Sequence, residues 1–198
     1  LAVDFLVCRR YRDIHISVVI LLLQMLQKYN RYRVLTAFFE RPTDRLQLRE
    51  IARLAKLAPL STMNYLKQFV AQGLISRIKK GMYPTYQANR DSEAFKRLKR
   101  QNTVWKLYDS GFVDAVVSEC SPDAIILFGS ASRGEDVETS DIDVCIIAAE
   151  CPLKLKPYET VLKRKIAPFF SKTFGELSSE LKNNILNGTV LYGYVKVF

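Results

Sequence analysis

Residues Ile125 to Cys145 read I-I-L-F-G-S-A-S-R-G-E-D-V-E-T-S-D-I-D-V-C, and the back half of the chain is built around them. The apolar run Ala124 to Phe128 ends in Gly129-Ser130. A polar loop then delivers Ser140-Asp141-Ile142-Asp143 at the start of a second apolar run, Val144 to Ala148. Both runs are rich in Ile and Val and read as buried strands. Asp141 and Asp143 stand two apart, a spacing that puts both carboxylates on one face of a strand. Two carboxylates so placed repel unless a cation sits between them, and hard oxygen ligands suit magnesium. Gly129 permits a tight turn and a close approach of a phosphate to the backbone. Ser130 offers a hydroxyl and an amide hydrogen, most usefully where it opens a helix. Each half of the stretch, taken alone, also fits a capped turn beside a loop. It is the two halves at this spacing that point to a site.

The pattern G-S-A-S-R-G followed by S-D-I-D resembles the motif of the DNA polymerase beta-like nucleotidyltransferase superfamily, above all its minimal prokaryotic members. The resemblance covers roughly residues 120 to 198. It implies a small mixed-sheet α/β fold, with Gly129 and Ser130 holding the triphosphate of a nucleoside triphosphate. Arg133 and Gly134 match the remaining nucleotide-binding positions. Asp141 and Asp143 become the catalytic and metal-binding pair for Mg2+ or Mn2+.

One element of the family pattern is missing. Competent members carry a third carboxylate on the strand beside the Asp-x-Asp strand, where it holds the catalytic metal. By order along the chain that strand is Lys165 to Phe170, K-I-A-P-F-F, and it contains no acid. Ala167 takes the matching position, flanked by Ile166 and Pro168, and the proline argues for a sheet edge. Glu159 and Glu176 are the nearest acids that could substitute from another element. Lys163, Arg164 and Lys165 add positive charge to the region, which favours a bound phosphate over a second cation.

Charge divides the 198-residue chain, whose formal net charge is +10. Leu1 to Ser110 holds 21 Lys and Arg against 8 Asp and Glu, whereas Gly111 to Phe198 holds 9 against 12. A basic front fits a polyanion and an acidic back fits a metal site, which suggests two modules with different partners. The divisions expected are a leading apolar helix or non-native extension at 1–28, a winged helix-turn-helix at 29–90, linker helices at 91–118 and the nucleotidyltransferase-like domain at 119–198.

The front module follows from helix and turn signals. Tyr32 to Glu40 and Gln47 to Leu57 show helical apolar spacing, the second with Leu48, Ile51, Leu54 and Ala55 inward. Ala58-Pro59-Leu60 makes a tight turn. Ser61 reads as the N-cap of a third helix that runs to Gln72, turns Tyr65, Leu66, Phe69 and Val70 inward and ends at Gly73. Leu74 to Tyr86 reads as a hairpin with a glycine turn. This order is similar to the winged helix-turn-helix domains fused ahead of archaeal-type minimal nucleotidyltransferases. The resemblance implies duplex DNA binding, with Ser61, Thr62, Asn64, Lys67 and Gln68 on the recognition helix and Arg77, Lys79 and Lys80 on the wing. A winged helix used only for protein contacts fits the same pattern.

Asp91 to Tyr108 reads as a linker helix whose Lys96, Arg97, Lys99, Arg100 and Lys106 either extend the DNA footprint or form a solvated face. Phe174 to Asn187 reads as one helix with Leu177, Leu181, Ile185 and Leu186 inward. The apolar run Ile14 to Leu26 is too short to span a membrane. It fits a buried helix over the next domain or a dimer partner, and equally an extension ahead of a natural start at Met25. The four cysteines form no C-x-x-C pair and suit a reducing cytoplasm, with Cys145 as a small core residue.

Two functions remain open at this point. One is a transferase moving a nucleoside monophosphate to a protein or RNA hydroxyl. By resemblance it would act as the antitoxin beside a helical RNase-like toxin, with a homodimer also possible. The other is a DNA-binding transcriptional regulator or antitoxin-type protein with a catalytically weakened transferase domain.

Overall fold

The computed structural model describes residues 29–79 and 81–196. The expectations for residues 1–28, and for Lys80, fall outside the described residues.

The front half is helical with a small sheet. Helix α1 (Asn30–Glu40) is followed by the two-residue strand β1 (Leu46–Gln47), helix α2 (Leu48–Ala55), helix α3 (Pro59–Ala71) and the hairpin β2 (Ile75–Ile78) and β3 (Thr85–Ala88). The sheet order is β1-β3-β2, all antiparallel. Val34, Phe38, Ile51, Leu66, Phe69 and Ile75 meet in one core. Helix, helix-turn-helix and hairpin in this order form a winged helix.

Local chemistry corrects four expectations here. Gln47 pairs in β1 and stands at the cap of α2 rather than within it, and Leu54 is exposed. Ser61 is not the N-cap: α3 begins at Pro59, with Ala58 at the cap. Proline suits the first helical position because its φ is already helical and its missing N–H is needed by no partner. Val70, expected inward, is exposed.

Helix α4 (Glu93–Asp109) follows, with Ser92 capping it by accepting from the Phe95 amide. Seventeen residues make a rod of about 25 Å. Its start belongs to the winged-helix core through Phe95, and its end belongs to the second core through Leu107. Between them, Lys99, Asn102 and Thr103 are buried although polar.

The back half contains α5 (Phe112–Cys120), β4 (Ala124–Leu127), α6 (Gly129–Arg133), β5 (Ile142–Ile147), α7 (Lys156–Leu162), β6 (Ile166–Ser171), a 3-10 turn (Phe174–Glu176), α8 (Ser179–Leu186) and β7 (Thr189–Gly193). The four-stranded sheet has the order β6-β5-β4-β7. β4 is antiparallel to β5 and β7, and β5 is parallel to β6, so the sheet is mixed. Helices α4 and α5 cover one face with Leu107, Phe112 and Val116. The other face packs Ala124, Ile126 and Cys145 against Phe174, Leu177 and Ile185. β6 is at the edge, where Pro168 leaves no inner ladder bond unmade.

The single helix expected over Phe174 to Asn187 is a 3-10 turn and a shorter helix. Ser178 breaks it by capping α8 through the Leu181 amide, and Leu186 is exposed. The cysteine expectation also changes. Cys120, at the end of α5, and Cys151, in the loop after β5, form a disulfide with their Cα atoms 5.6 Å apart. The residues are 31 apart in sequence and meet only because β4 and β5 run side by side. Cys145 is free and buried, as expected of a core residue.

Candidate nucleotide and nucleic-acid sites

The Gly-Ser turn and the aspartate strand meet at the end of the sheet. The Phe128 amide donates to the Asp143 carbonyl at 3.0 Å, which extends the β4–β5 pairing into the turn. Gly129 follows with φ +69°. A Cβ on Gly129 would collide with the Asp143 carboxylate, so only glycine allows the carboxylate to rest against this turn. Ser130 is the second residue of α6, and its carbonyl accepts from the Glu135 amide at 3.0 Å. Ser132 closes the turn by donating to the Gly129 carbonyl at 2.8 Å.

Asp141 is exposed and stands just before β5; Asp143 is half-buried within it. Burial first, and then the neighbouring Asp141 carboxylate, raise the Asp143 carboxyl above its ordinary range, with Arg164 acting in the opposite direction. A carboxyl raised by the acid beside it fits a site meant to receive one hard cation.

In the parallel β5–β6 ladder, Asp143 is paired with Ala167 and Val144 with Pro168. Among the described residues no group of three His, Cys, Asp or Glu side chains is disposed to hold a metal. Of the two substitute acids, Glu159 accepts from the Ile166 amide at 3.2 Å, at the start of β6. Glu176 is exposed on the 3-10 turn.

The other motif residues have protein partners. Arg133 is exposed and its Nε donates to Glu135 Oε2 at 2.8 Å. Gly134, with φ +72°, lies against the Lys96 carbonyl so closely that a Cβ would clash. Lys163 is exposed and reaches Glu40 at 3.5 Å. Arg164 donates to the Ser140 carbonyl at 2.9 Å, to the Asp141 carbonyl at 3.0 Å, and to Asp136 Oδ2.

Asp136 carries no signal in the sequence. Its side chain is 2% exposed and lies between Arg164 and the equally buried Lys99, whose Nζ is 2.8 Å from Oδ1. Burial lowers the Lys99 ammonium from its ordinary value, with Asp136 opposing that effect. The linker helix therefore does not present Lys99 to a solvated or DNA-facing surface. Lys96 pairs with Glu93 and Glu135, and Lys106 pairs with Glu40 at 2.7 Å. These three bases face the protein, because the helix is clasped between the two cores. A cleft of about 560 Å³ opens beside them, between α1, α4 and the loop before β5. Its lining includes Glu40, Lys106, Asp136 and Arg164 but neither Ser130 nor the Asp141–Asp143 pair.

On the winged helix, Ser61, Asn64, Lys67 and Gln68 are exposed on α3. Thr62 is not: it is fully buried and its hydroxyl donates to the Ala58 carbonyl at 3.0 Å, so it closes the first turn of α3 rather than facing outward. Arg77 and Lys79 are exposed on the wing, and Met82 and Tyr83 are exposed beyond its glycine. Arg49 and Arg53 on α2 add exposed positive charge that periodicity alone does not mark as functional.

Residues 110–192 match the family model of the nucleotidyltransferase domain. Over these residues the chain is similar to nucleotidyltransferase domains. The match takes in the Gly-Ser turn, both aspartates, Ala167 and all but the last residue of β7. A solved structure similar to this chain is MepR, a transcription regulator of the Staphylococcus aureus multidrug efflux pump MepA. The similarity has 14% identity and a TM-score of 0.40, and covers 54% of this chain and 82% of that one. No curated protein matches the chain. No described helix is long and apolar enough to cross a membrane.

Proposed function

We propose that this chain is a DNA-binding protein whose nucleotidyltransferase domain holds a nucleoside triphosphate with one magnesium ion, and in which nucleotidyl transfer is slow. The observation that carries the reading is the pairing of Asp143 with Ala167. Two-metal phosphoryl transfer needs one ion at the leaving pyrophosphate and another where the acceptor hydroxyl is activated. Asp141 and Asp143 supply a ligand set for one ion. An alanine methyl group in the neighbouring strand ligates none.

The residues present fit a single Mg2+ or Mn2+. Asp143 is kept against Gly129 by a contact that no larger residue permits, and Asp141 and Asp143 repel one another without a cation. Such an ion would neutralise triphosphate charge beside the carboxylates. Ser130, at the opening of α6, would present its hydroxyl and amide to a phosphate oxygen, and Arg133 would add charge at the far end of that turn. The DNA part of the reading is supported by the exposed Asn64, Lys67 and Gln68 of α3 and by Arg77 and Lys79 of the wing.

A transferase with normal turnover is the second reading, favoured by the intact Gly-Ser turn and the Asp-x-Asp strand. Its acceptor would be a hydroxyl on a protein or an RNA end, and Glu159 or Glu176 would have to bring the missing carboxylate. Calorimetric titration with ATP, GTP, CTP and UTP tests the binding step. Affinity for one or more of them that requires magnesium and disappears in Asp141→Asn/Asp143→Asn is expected. Equal affinity without magnesium, or in the double variant, removes the site.

A further inference from the structure

We propose that Lys99, on α4, is a positioning residue for the aspartate pair, acting through Asp136 and Arg164, so that docking of the winged-helix half sets the geometry of the nucleotide site. The consequence for nucleotide binding rests on the function proposed above; the mechanical link is a property of the fold.

The link is continuous. Lys99 Nζ meets Asp136 Oδ1 at 2.8 Å and also donates to the Asp136 carbonyl. Asp136 Oδ2 accepts from Arg164. The same guanidinium donates to the carbonyls of Ser140 and Asp141 at 2.9 and 3.0 Å. Within the loop, the Val137 amide donates to Ser140 Oγ at 2.9 Å and the Ser140 amide to the Val137 carbonyl at 3.1 Å. The segment from Asp136 to Asp141 is thus held at one end by α4 and at the other by an arginine that shares the same carboxylate.

Helix α4 is in turn fixed to the winged helix. Lys106 pairs with Glu40 of α1, and the Tyr32 hydroxyl donates to Asn102 Oδ1 at 2.7 Å. The turn after α1 reaches the same loop independently, where the Thr43 amide and hydroxyl both donate to Glu138 at 2.9 Å. The loop that delivers Asp141 therefore registers the position of the winged helix at two separate points.

Stability alone does not explain the arrangement. Two cations and one anion, nearly withdrawn from water, are a poor substitute for apolar packing, and buried ion pairs often add no net stability. They do specify one geometry, because a displaced charge left without its partner is costly. The excess positive charge at Arg164 is set toward the aspartate pair, which is where a misplaced loop would be felt. A link of this kind is reciprocal: what nucleotide does to the docking of the winged helix, docking must do to nucleotide affinity.

Lys99→Met keeps the apolar stem, removes the charge and leaves Asp136 paired with Arg164. Hydrogen exchange of the full chain is expected to rise about tenfold or more in residues 137–142, where Ser140 and Ile142 amides are bonded, while β4 and the α1 core stay at wild-type rates. Lys99→Arg should return the segment toward wild type. Glu138→Gln, which keeps the size of a half-buried side chain, should loosen the same segment to a smaller degree. Wild-type rates in 137–142 for both Lys99→Met and Glu138→Gln, or equal acceleration throughout the chain, would overturn the link. The second readout is the affinity for magnesium ATP, expected to fall about tenfold or more in Lys99→Met with DNA-free protein. Unchanged affinity in a variant whose loop has loosened overturns the positioning role. Wild-type protein that binds none of the four magnesium nucleotides refutes the function instead, and the exchange result still decides the link.

Discussion

Gly129 and Asp143 touch: the glycine Cα, at φ +69°, lies where any Cβ would displace the aspartate carboxylate. The turn that would cradle a phosphate and the strand that would hold a metal are therefore one mechanical unit. Gly129→Ala must adopt a left-handed conformation and push Asp143 away. We expect it to lower stability by about 1–2 kcal/mol and to abolish magnesium-dependent nucleotide binding. Denaturant unfolding and calorimetry on the same preparation measure both effects. Retained nucleotide affinity would mean that the phosphate does not approach this turn.

Duplex DNA binding should depend on the wing and on α3 in different ways. Arg77→Glu with Lys79→Glu is expected to weaken binding to all sequences and to reduce the steepness of its salt dependence by about one unit for each phosphate no longer neutralised. Asn64→Ala or Gln68→Ala should alter sequence preference and leave the salt slope alone. Fluorescence anisotropy over a salt series separates the two. An unchanged slope in the wing variant would take the wing off the DNA.

Acid should loosen the contact between the halves. Burial by itself would raise the carboxyls of Glu40 and Glu138; Lys106 and Lys163 override it for Glu40, and the Thr43 amide overrides it for Glu138, so both stand below their ordinary range. A carboxyl lowered on folding contributes stability that is complete above its unfolded pKa, about 4.3, and is lost as pH falls through the folded value. The difference in unfolding midpoint between wild type and Glu40→Gln should therefore be largest near neutrality and shrink below that range. A difference that grows in acid would contradict the assignment.

Much of the fold and of the site is legible in the chain itself, and the reasons are specific. Gly129-Ser130 and Asp141-Ile142-Asp143 are short-range signals whose meaning depends on spacing, and the strand order that follows puts Ala167 beside Asp143. The start of α3 shifts by a few residues between sequence and structure because proline and serine both start helices and only one can be first. Lys99 is hidden for a different reason. A lysine on a basic helix is ordinarily solvated, and nothing local reveals that Asp136, 37 residues on, will be buried against it. Leu54, Val70 and Leu186 obey helical periodicity yet face water, because the stripe at each helix is wider than the core it meets. The Cys120–Cys151 bond depends on sheet pairing and cannot be read from cysteine spacing.

The consequence of the missing carboxylate is tested most directly by single-turnover transfer from α-labelled nucleoside triphosphate. Ala167 is partly exposed at the edge strand, so an acid there need not disturb the core. Wild-type protein, supplied with magnesium or manganese and with co-purified protein and RNA as acceptors, should transfer label slowly. Ala167→Asp should raise the rate by about tenfold or more as the second ion gains its ligand, with DNA affinity unchanged. Rapid wild-type transfer that Ala167→Asp does not improve, and that Glu159→Gln or Glu176→Gln abolishes, would contradict the account and place the third carboxylate on another element.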